Sequence, residues 1–280
     1  MRAIKIKRSV GRMLLYLFLS CAALIVLMPI LWTLSTSLKP EDAIFKSPPR
    51  WIPQEPTADS YLFVLSKSDF PRFFFNSFIV SIATIGSVLL IGTMVAYRFA
   101  RADFPGKNLL MFMFLATMMI PGLANLIPLY ILIRRMGLMD THAALVMLYT
   151  SGSLPLIIWL MRSFIQSIPV ELDESARLDG CNTFTIFWKI IVPLIKPGLS
   201  AGGIIVFINT WNNFLIALTF IQSPQKRLIQ PGIRLLAGYY TIQWTRIMAA
   251  CMLGSIPPII LFLIFQRSLI AGLTKGAVKG

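Results

Sequence analysis

The side chains that could carry out covalent chemistry are few and scattered in this sequence of 280 residues. The single histidine, His142, and the three cysteines lack the spacing of a disulfide framework or a metal site. The phosphate-binding pattern Gly-x-x-x-x-Gly-Lys-Ser/Thr is absent, because Gly106-Lys107 lacks the upstream glycine and the following hydroxyl. The sequence therefore predicts no catalytic, metal or cofactor site on this chain, which argues against an enzyme and against an ATPase.

Uncharged hydrogen-bonding side chains are the polar groups that recur within the apolar stretches. On one continuous α-helix, Asn209, Asn212 and Asn213 would share a face, because they are spaced i, i+3 and i+4. Such a face suits a neutral, hydroxyl-rich solute such as a sugar, or else hydrogen bonds between helices, worth ~0.6 kcal/mol on average in membranes. Trp211 would lie on another face, where packing or interfacial anchoring is the alternative to stacking on a sugar ring. The candidate residues of a translocation path are Asn76, Asn125, Asn209, Trp211, Asn212 and Asn213.

Acidic residues gather in the segment 162–197, which holds four of the eleven in the chain: Glu171, Asp173, Glu174 and Asp179. Pro169 suits the first turn of a helix, and carboxylates in the turns after it would interact favourably with the helix dipole. Gly180 stands where a left-handed residue would end that helix. The pattern predicts a short helix and a tight turn.

A second short helix is predicted directly after this turn. Asn182 or Thr183 can cap it, and large apolar side chains recur at helical spacing over residues 184–192. Pro193 and Pro197 should then break it. The pattern of segment 162–197 therefore predicts a helix, a turn and a second helix at a membrane surface.

Long apolar runs must position all of these groups. Apolar residues make up 56% of the chain and charged residues only 13%, about half the share of a typical soluble protein. Six runs are long enough for a ~30 Å hydrocarbon core, which a helix of about 20 residues crosses. They are residues 13–34, 73–97, 109–133, 143–161, 198–221 and 247–266. The prediction is an all-α membrane protein with six transmembrane helices.

A net charge of +15 is typical of nucleic-acid-binding proteins, but here the basic residues lie between the apolar runs and form no single stripe. A positive-inside bias, steepest before residue 13, explains them and predicts that both termini are cytoplasmic. The first apolar run is too long for a cleaved signal peptide. The predicted layout is a cytoplasmic tail 1–12, a first span 13–34, an extracellular loop 35–72, a core of five transmembrane helices 73–270 with a surface loop 169–197, and a cytoplasmic tail 271–280.

The stretch Glu174-Ser-Ala-Arg-Leu-Asp-Gly180, followed by Ile190 and Pro193, resembles the EAA loop of ABC importer permeases. The family pattern is Glu-Ala-Ala, a glycine after three further residues, and then Ile-x-Leu-Pro. Ser175 replaces the middle alanine and Val192 the leucine. The run Trp-Asn-Asn-Phe-Leu at 211–215 and the ending at 272–280 resemble the carbohydrate-uptake branch, which includes the smaller permease subunit of maltose, arabino-oligosaccharide and multiple-sugar importers.

The resemblance implies a type I, MetI-like importer fold in a bacterial inner membrane, with a cytoplasmic coupling helix between spans four and five. Coupling to an ATPase would fall to Glu174, Ser175, Ala176, Asp179, Gly180, Ile190 and Pro193, with Glu174 as the docking carboxylate. It also implies a heterodimer with a second permease chain, a dimeric ABC ATPase that binds ATP and Mg, an extracellular solute-binding protein, and a carbohydrate substrate, in particular an oligosaccharide.

Two other transport functions remain open from the sequence. A stand-alone secondary transporter would use charged residues at bilayer depth, and the spans carry essentially none in their centres. A permease for glycerol phosphates would need a basic residue in the path, and none stands in mid-span; another small polar solute remains possible.

Overall fold

The computed structural model of the protein describes residues 2–237 and 242–275, with side chains described from 11 to 237 and from 242 to 266. The regular elements of these residues are all helical, as the sequence predicts. The helices are α1 (Arg2–Ser37), α2 (Asp59–Ser66), α3 (Phe70–Arg101), α4 (Lys107–Thr117), α5 (Leu126–Arg135), α6 (His142–Gln166), α7 (Glu171–Leu178), α8 (Thr183–Ile186), α9 (Val192–Leu194), α10 (Lys196–Trp211), α11 (Leu215–Phe220), α12 (Ile229–Leu235) and α13 (Trp244–Lys275).

Four of the helices are long and apolar enough to cross a membrane within the described ranges. They are Gly11–Ser37 of α1, α3, α6 and Trp244–Gln266 of α13, and they contain four of the six predicted spans. The helix Thr183–Leu194 and α10 pass the same test as a pair, but they are bent by 78°. Among the described residues, the number of helices long and apolar enough to cross a membrane is therefore four, or five if the bent pair counts as one span.

The predicted span over residues 109–133 is not one continuous helix. The chain forms α4, which ends at Thr117, and α5, which begins at Leu126, with turns between them. Pro121 and Gly122 lie in this break, where the proline lacks an N–H for an α-helical hydrogen bond and the glycine adds backbone freedom.

The expectation of one continuous helix over residues 198–221 is also wrong. α10 ends at Trp211, and a separate helix, α11, begins at Leu215. The Asn213 Oδ1 accepts a hydrogen bond from the Ile216 N–H at 3.0 Å, so this side chain satisfies a donor in the first turn of α11. The three asparagines therefore do not share one face of one helix.

The chain divides into two compact units, Met1–Pro71 with Ile233–Ser255 and Arg72–Gly232 with Ile256–Gly280. In the first, the loop after α1 is ordered by an aromatic and cationic cluster. The Trp32 and Trp51 rings lie 4.8 Å apart, and the Lys39 ammonium lies 4.4 Å from the Trp32 ring while donating to the Arg50 carbonyl at 2.6 Å. The predicted loop 35–72 is therefore folded and includes α2.

The second unit is built on close packing of α3, α6 and α10. Glycines permit it: a Cβ at Gly92 or Gly202 would lie 3.0 or 3.1 Å from methyl groups of Ile157, which is fully buried. The buried cluster continues from these helices to Ile186 and Ile191 in the segment after α7. The short helices of that segment are thus fastened to the core of this unit.

The predicted C-terminal tail 271–280 is only partly described. α13 reaches Lys275, so its backbone continues helically through the first half of that range. Residues 276–280, which include the end of the family-like motif at 272–280, lie outside the described residues, as does Met1 of the predicted N-terminal tail.

Candidate functional site

The segment between α6 and α10 has the helix, turn and helix form that its residues predict. α7 ends at Leu178, and Gly180 has the left-handed φ of +83° that an L side chain rarely adopts. Asn182 caps α8, because its Oδ1 accepts from the Thr185 N–H at 2.8 Å. The local sequence signals for the turn and the cap are confirmed.

The second helix of this segment extends slightly beyond its predicted end. It runs from Thr183 through a π-helical stretch, Phe187–Ile191, into α9, so Pro193 lies inside it. The 78° bend falls at Ile195, between Pro193 and Pro197, the two prolines expected to break the helix. Ile190 packs partly buried against the core cluster, and Pro193 is exposed.

The predicted coupling residues of α7 divide into exposed and buried ones. Glu174, Ser175, Asp179 and Gly180 are exposed, and two of these four residues are acidic. Ala176 is 8% exposed and belongs to the buried cluster, so its small side chain serves the packing of this chain.

A buried polar network holds α7 to the end of α3. The Asp173 Oδ2 accepts a hydrogen bond from the Tyr97 hydroxyl at 2.9 Å and from the Arg101 Nε at 3.2 Å. The Arg101 Nη2 donates to the Ile168 carbonyl at 2.9 Å. From the sequence, Asp173 is expected only to interact with the helix dipole. Its burial could have been predicted from its i, i+3 spacing from Ala176, which puts both residues on one face of α7.

A cavity of about 560 Å³ lies at the break between α4 and α5. Its walls come from α4, the break, α5, α6 and α11, and they are mostly apolar with the polar side chains Thr117, Asn125 and Ser151. None of its lining residues is charged. A space of this size is within the roughly 300–1,000 Å³ typical of small-ligand sites.

Of the predicted path residues, Asn125 alone is among the residues lining this cavity. Asn209 and Asn212 are exposed at the end of α10. Trp211 is 1% exposed, with its ring stacked on Phe207 at 5.2 Å and edge-on to Phe74 at 5.3 Å. The cavity was not foreseen, because it depends on the break in the third predicted span.

Asn76 is used in holding the segment after α11. Its Nδ2 donates to the Gln225 carbonyl at 2.9 Å and to the Arg227 carbonyl at 3.0 Å. The hydroxyl of the next residue, Ser77, accepts a hydrogen bond from the Ile229 N–H at 2.8 Å. These contacts connect α3 to the residues that lead into α12.

Asp140 holds the same segment from the loop before α6. Its Oδ1 accepts from the Gln222 and Ser223 N–H groups, both at 2.9 Å, and its Oδ2 accepts from the Ser223 hydroxyl and, at 3.3 Å, the Lys226 Nζ. Burial raises the pKa of Asp140, but these hydrogen bonds outweigh it and hold the pKa well below its usual range. His142 adds a contact between its Nε2 and the Lys226 carbonyl at 2.8 Å.

Comparison with known proteins agrees with this architecture. The sequence profile of the family described as "Binding-protein-dependent transport system inner membrane component" matches residues 88–275. The sulfoquinovosyl glycerol transport system permease protein of Agrobacterium fabrum is 36% identical over 94% of this chain and 93% of its own length. The galactooligosaccharides transport system permease protein of Bacillus subtilis is 32% identical over 99% of this chain and 98% of its own length.

A solved structure has a similar fold. A chain of a bacterial ABC transporter involved in the import of the acidic polysaccharide alginate superimposes with a TM-score of 0.80 at 23% identity, covering 92% of this chain and 96% of that one. At this identity the likeness concerns the fold alone.

Proposed function

This chain belongs to the family of binding-protein-dependent transport system inner membrane components. We propose that it is the permease subunit of an ATP-driven importer that moves a carbohydrate, in particular an oligosaccharide, into the cytoplasm. The chain performs no covalent chemistry in this function. It supplies part of the path through the membrane and a surface on which an external motor acts.

The observation that carries the substrate class is the uncharged cavity beside α5. Its volume of about 560 Å³ suits a ligand of a few sugar units, and its polar lining consists of hydroxyl and amide groups. A phosphorylated solute would instead favour an arginine or lysine in the wall, because phosphate binds best to charge-assisted donors. The similarity to permeases for sulfoquinovosyl glycerol and galactooligosaccharides supports a carbohydrate substrate. Of these two kinds of ligand, the uncharged wall favours the neutral oligosaccharide over the sulfonated sugar.

The proposed path includes the exposed end of α10 as well as the cavity. Asn209 and Asn212 offer amide groups outside the packed core, where a solute or a second permease chain can reach them. A homologous second permease chain, forming a heterodimer, would complete the path. Six crossings, with both termini in the cytoplasm, would then place α7 on the cytoplasmic side, with the broken pair α4 and α5 as the third crossing.

The proposed motor is a dimeric ABC ATPase that binds ATP and Mg on its own subunits. α7 would dock on it as the coupling helix, with Glu174 as the docking carboxylate and the Asp179-Gly180 turn shaping the tip. ATP binding would close the motor and turn the path outward, where a solute-binding protein delivers the sugar. The family description, which names binding-protein dependence, supports this last partner.

Uptake by cells with and without the gene for this chain tests the function. The probes are radiolabelled trehalose, a galactotriose, sulfoquinovosyl glycerol and glycerol 3-phosphate. We expect uptake of at least one sugar probe to disappear with the gene and to return with it. Loss of glycerol 3-phosphate uptake alone would replace the carbohydrate assignment.

The source of energy separates an importer from a stand-alone transporter. Gene-dependent uptake should resist a protonophore while ATP is maintained, and it should fail in vesicles loaded with orthovanadate. Uptake that follows the ion gradient and ignores vanadate would refute the ABC assignment. Affinity purification from membranes should recover a distinct permease chain, whereas two copies of this chain in the complex would contradict the heterodimer.

A further inference from the structure

We propose that the buried Asp173–Arg101 ion pair, completed by Tyr97, makes α7 and the end of α3 move as one body, so that displacement of α7 by the motor is passed directly to α3. This inference rests on the proposed function, in which α7 docks on an ATPase. It assigns a positioning role to three residues that precede or lie outside the EAA-like stretch.

The burial of Asp173 is the first observation. The other acidic residues of α7, Glu171 and Glu174, are exposed, whereas Asp173 is 2% exposed. Only Asp173 and Ala176 are buried in this helix, so α7 rests on the core through one narrow face. Because water does not reach the carboxylate on that face, its charge must be stabilised by groups of this chain.

The geometry of Arg101 is the second observation. Its side chain is 7% exposed, and its guanidinium donates through Nε to the Asp173 carboxylate and through Nη2 to the Ile168 carbonyl. Ile168 lies in the turn that joins α6 to α7. One planar group therefore contacts both the helix and the turn leading into it. A lysine ammonium at the same place has no rigid fork with which to reproduce the two directions.

Tyr97 extends the connection to the second helix of the loop. It lies one turn before Arg101 in α3, donates its hydroxyl to the same Asp173 oxygen and packs its ring 5.5 Å from that of Phe187. The end of α3 thus contacts the segment before α7, α7 itself and the segment after it.

A buried ion pair is a costly way to obtain stability, because both charges lose water and apolar residues of similar volume often pack as well. What the pair adds is direction, since charge-assisted hydrogen bonds hold their groups at defined angles. An apolar contact between α7 and α3 would let one helix slide on the other. The ion pair suits an element that must transmit displacement.

Hydrogen exchange of the complete complex in nanodiscs, with and without MgATP and vanadate, tests this role. The complex contains the partner permease and the ATPase and needs no identified sugar. In the wild type we expect nucleotide to change exchange in both α7 and residues 97–102. In Asp173→Asn, and in Arg101→Lys, the change at 97–102 should be lost, while α7 still responds.

Two further variants separate positioning from stability. Arg101→Met combined with Asp173→Leu replaces the pair with apolar volume, so it should keep the assembly intact but lose the response at residues 97–102. Asp103→Asn, which removes the fully exposed carboxylate of an ion pair with Lys107 at 2.9 Å near the same end of α3, should leave the response intact.

The outcomes are distinct. A full wild-type response at residues 97–102 in the apolar double variant would overturn the inference and leave the proposed function standing. Equal loss of the responses at α7 and at 97–102 in the assembled single variants would reduce the pair to a structural contact and overturn it as well. A wild-type complex that shows no nucleotide response would overturn the proposed function, and this inference with it.

Discussion

Asp140 offers the sharpest quantitative test of how the segment after α11 is held. The variant Asp140→Asn keeps the shape of the side chain and the left-handed backbone, φ +57°, which asparagine tolerates. It removes the charge from two hydrogen bonds with the N–H groups of Gln222 and Ser223. A charge-assisted hydrogen bond contributes about 1.5–3 kcal/mol and a neutral one about 0.5–1.5.

The expected cost of Asp140→Asn is therefore roughly 1 kcal/mol for each backbone bond, or about 2 kcal/mol in total. The ion pair with Lys226, whose side chain is 46% exposed, adds little. Asp140→Ala should cost more, because it removes the acceptor altogether and places alanine in a left-handed conformation, which itself costs about 1–2 kcal/mol.

Thermal unfolding of the purified chain in detergent measures these costs, and amide exchange at Gln222 and Ser223 locates them. The matched control is Asp42→Asn, which removes a highly exposed ion pair with Lys46 at 3.1 Å and should change neither readout. If Asp140→Asn unfolds with the wild type, or leaves exchange at both amides unchanged, the reasoning from these hydrogen bonds is wrong.

The pH dependence gives an independent check on Asp140. Because its pKa is lowered in the folded state, its contribution is fully present above the unfolded value of about 3.9 and is lost as the pH falls through the lower folded value. The difference in stability between wild type and Asp140→Asn should thus be constant from about pH 5 to 8 and shrink below about pH 4. A difference that grows on acidification would contradict the assignment.

Three further predictions concern packing, the turn after α7 and the use of Asn76. Gly198→Ala should destabilise the protein by about 1–2 kcal/mol in thermal unfolding, because its Cβ would lie 2.6 Å from the Phe164 ring. The control variant Gly203→Ala should be neutral or stabilising, because the nearest contact of its Cβ would be at 3.6 Å. Gly180→Ala should cost about 1–2 kcal/mol for its φ of +83° and lower sugar-stimulated ATP hydrolysis in the assembled complex; normal hydrolysis with intact assembly would refute a coupling role for the turn. Asn76→Asp should lower stability, since it loses the donors to two carbonyls, and a raised KM for uptake without lower stability would instead show that this residue meets the solute.

The turn and caps around α7 could be predicted from the sequence because their causes are local. A left-handed glycine ends a helix through its own φ, and an asparagine caps a helix by bonding to an N–H three residues later. The apolar runs are likewise a property of consecutive residues, so four of the predicted spans each lie within one long apolar helix. The all-helical class and the positions of Gly180 and Asn182 follow from such short-range rules.

The breaks after Thr117 and Trp211 could not be read from apolar runs, because hydropathy does not record whether the backbone stays helical. Glycine and proline in membrane helices are tolerated when neighbouring groups satisfy the freed backbone, and only the packed neighbours decide this. The prediction that three asparagines share one helical face was wrong for that reason. The cavity lined by Asn125 exists because the third apolar run is broken.

The tertiary structure also decided which of several similar acids has which role. By sequence, Asp173 and Glu174 are adjacent carboxylates at the start of one helix. The structure buries the first against Arg101, 72 positions away, and leaves the second exposed. The sequence by itself determined that a short acidic helix lies between the apolar runs. Only the fold determined how that helix is fastened, because an ion pair depends on distances in space, which no local pattern of residues encodes.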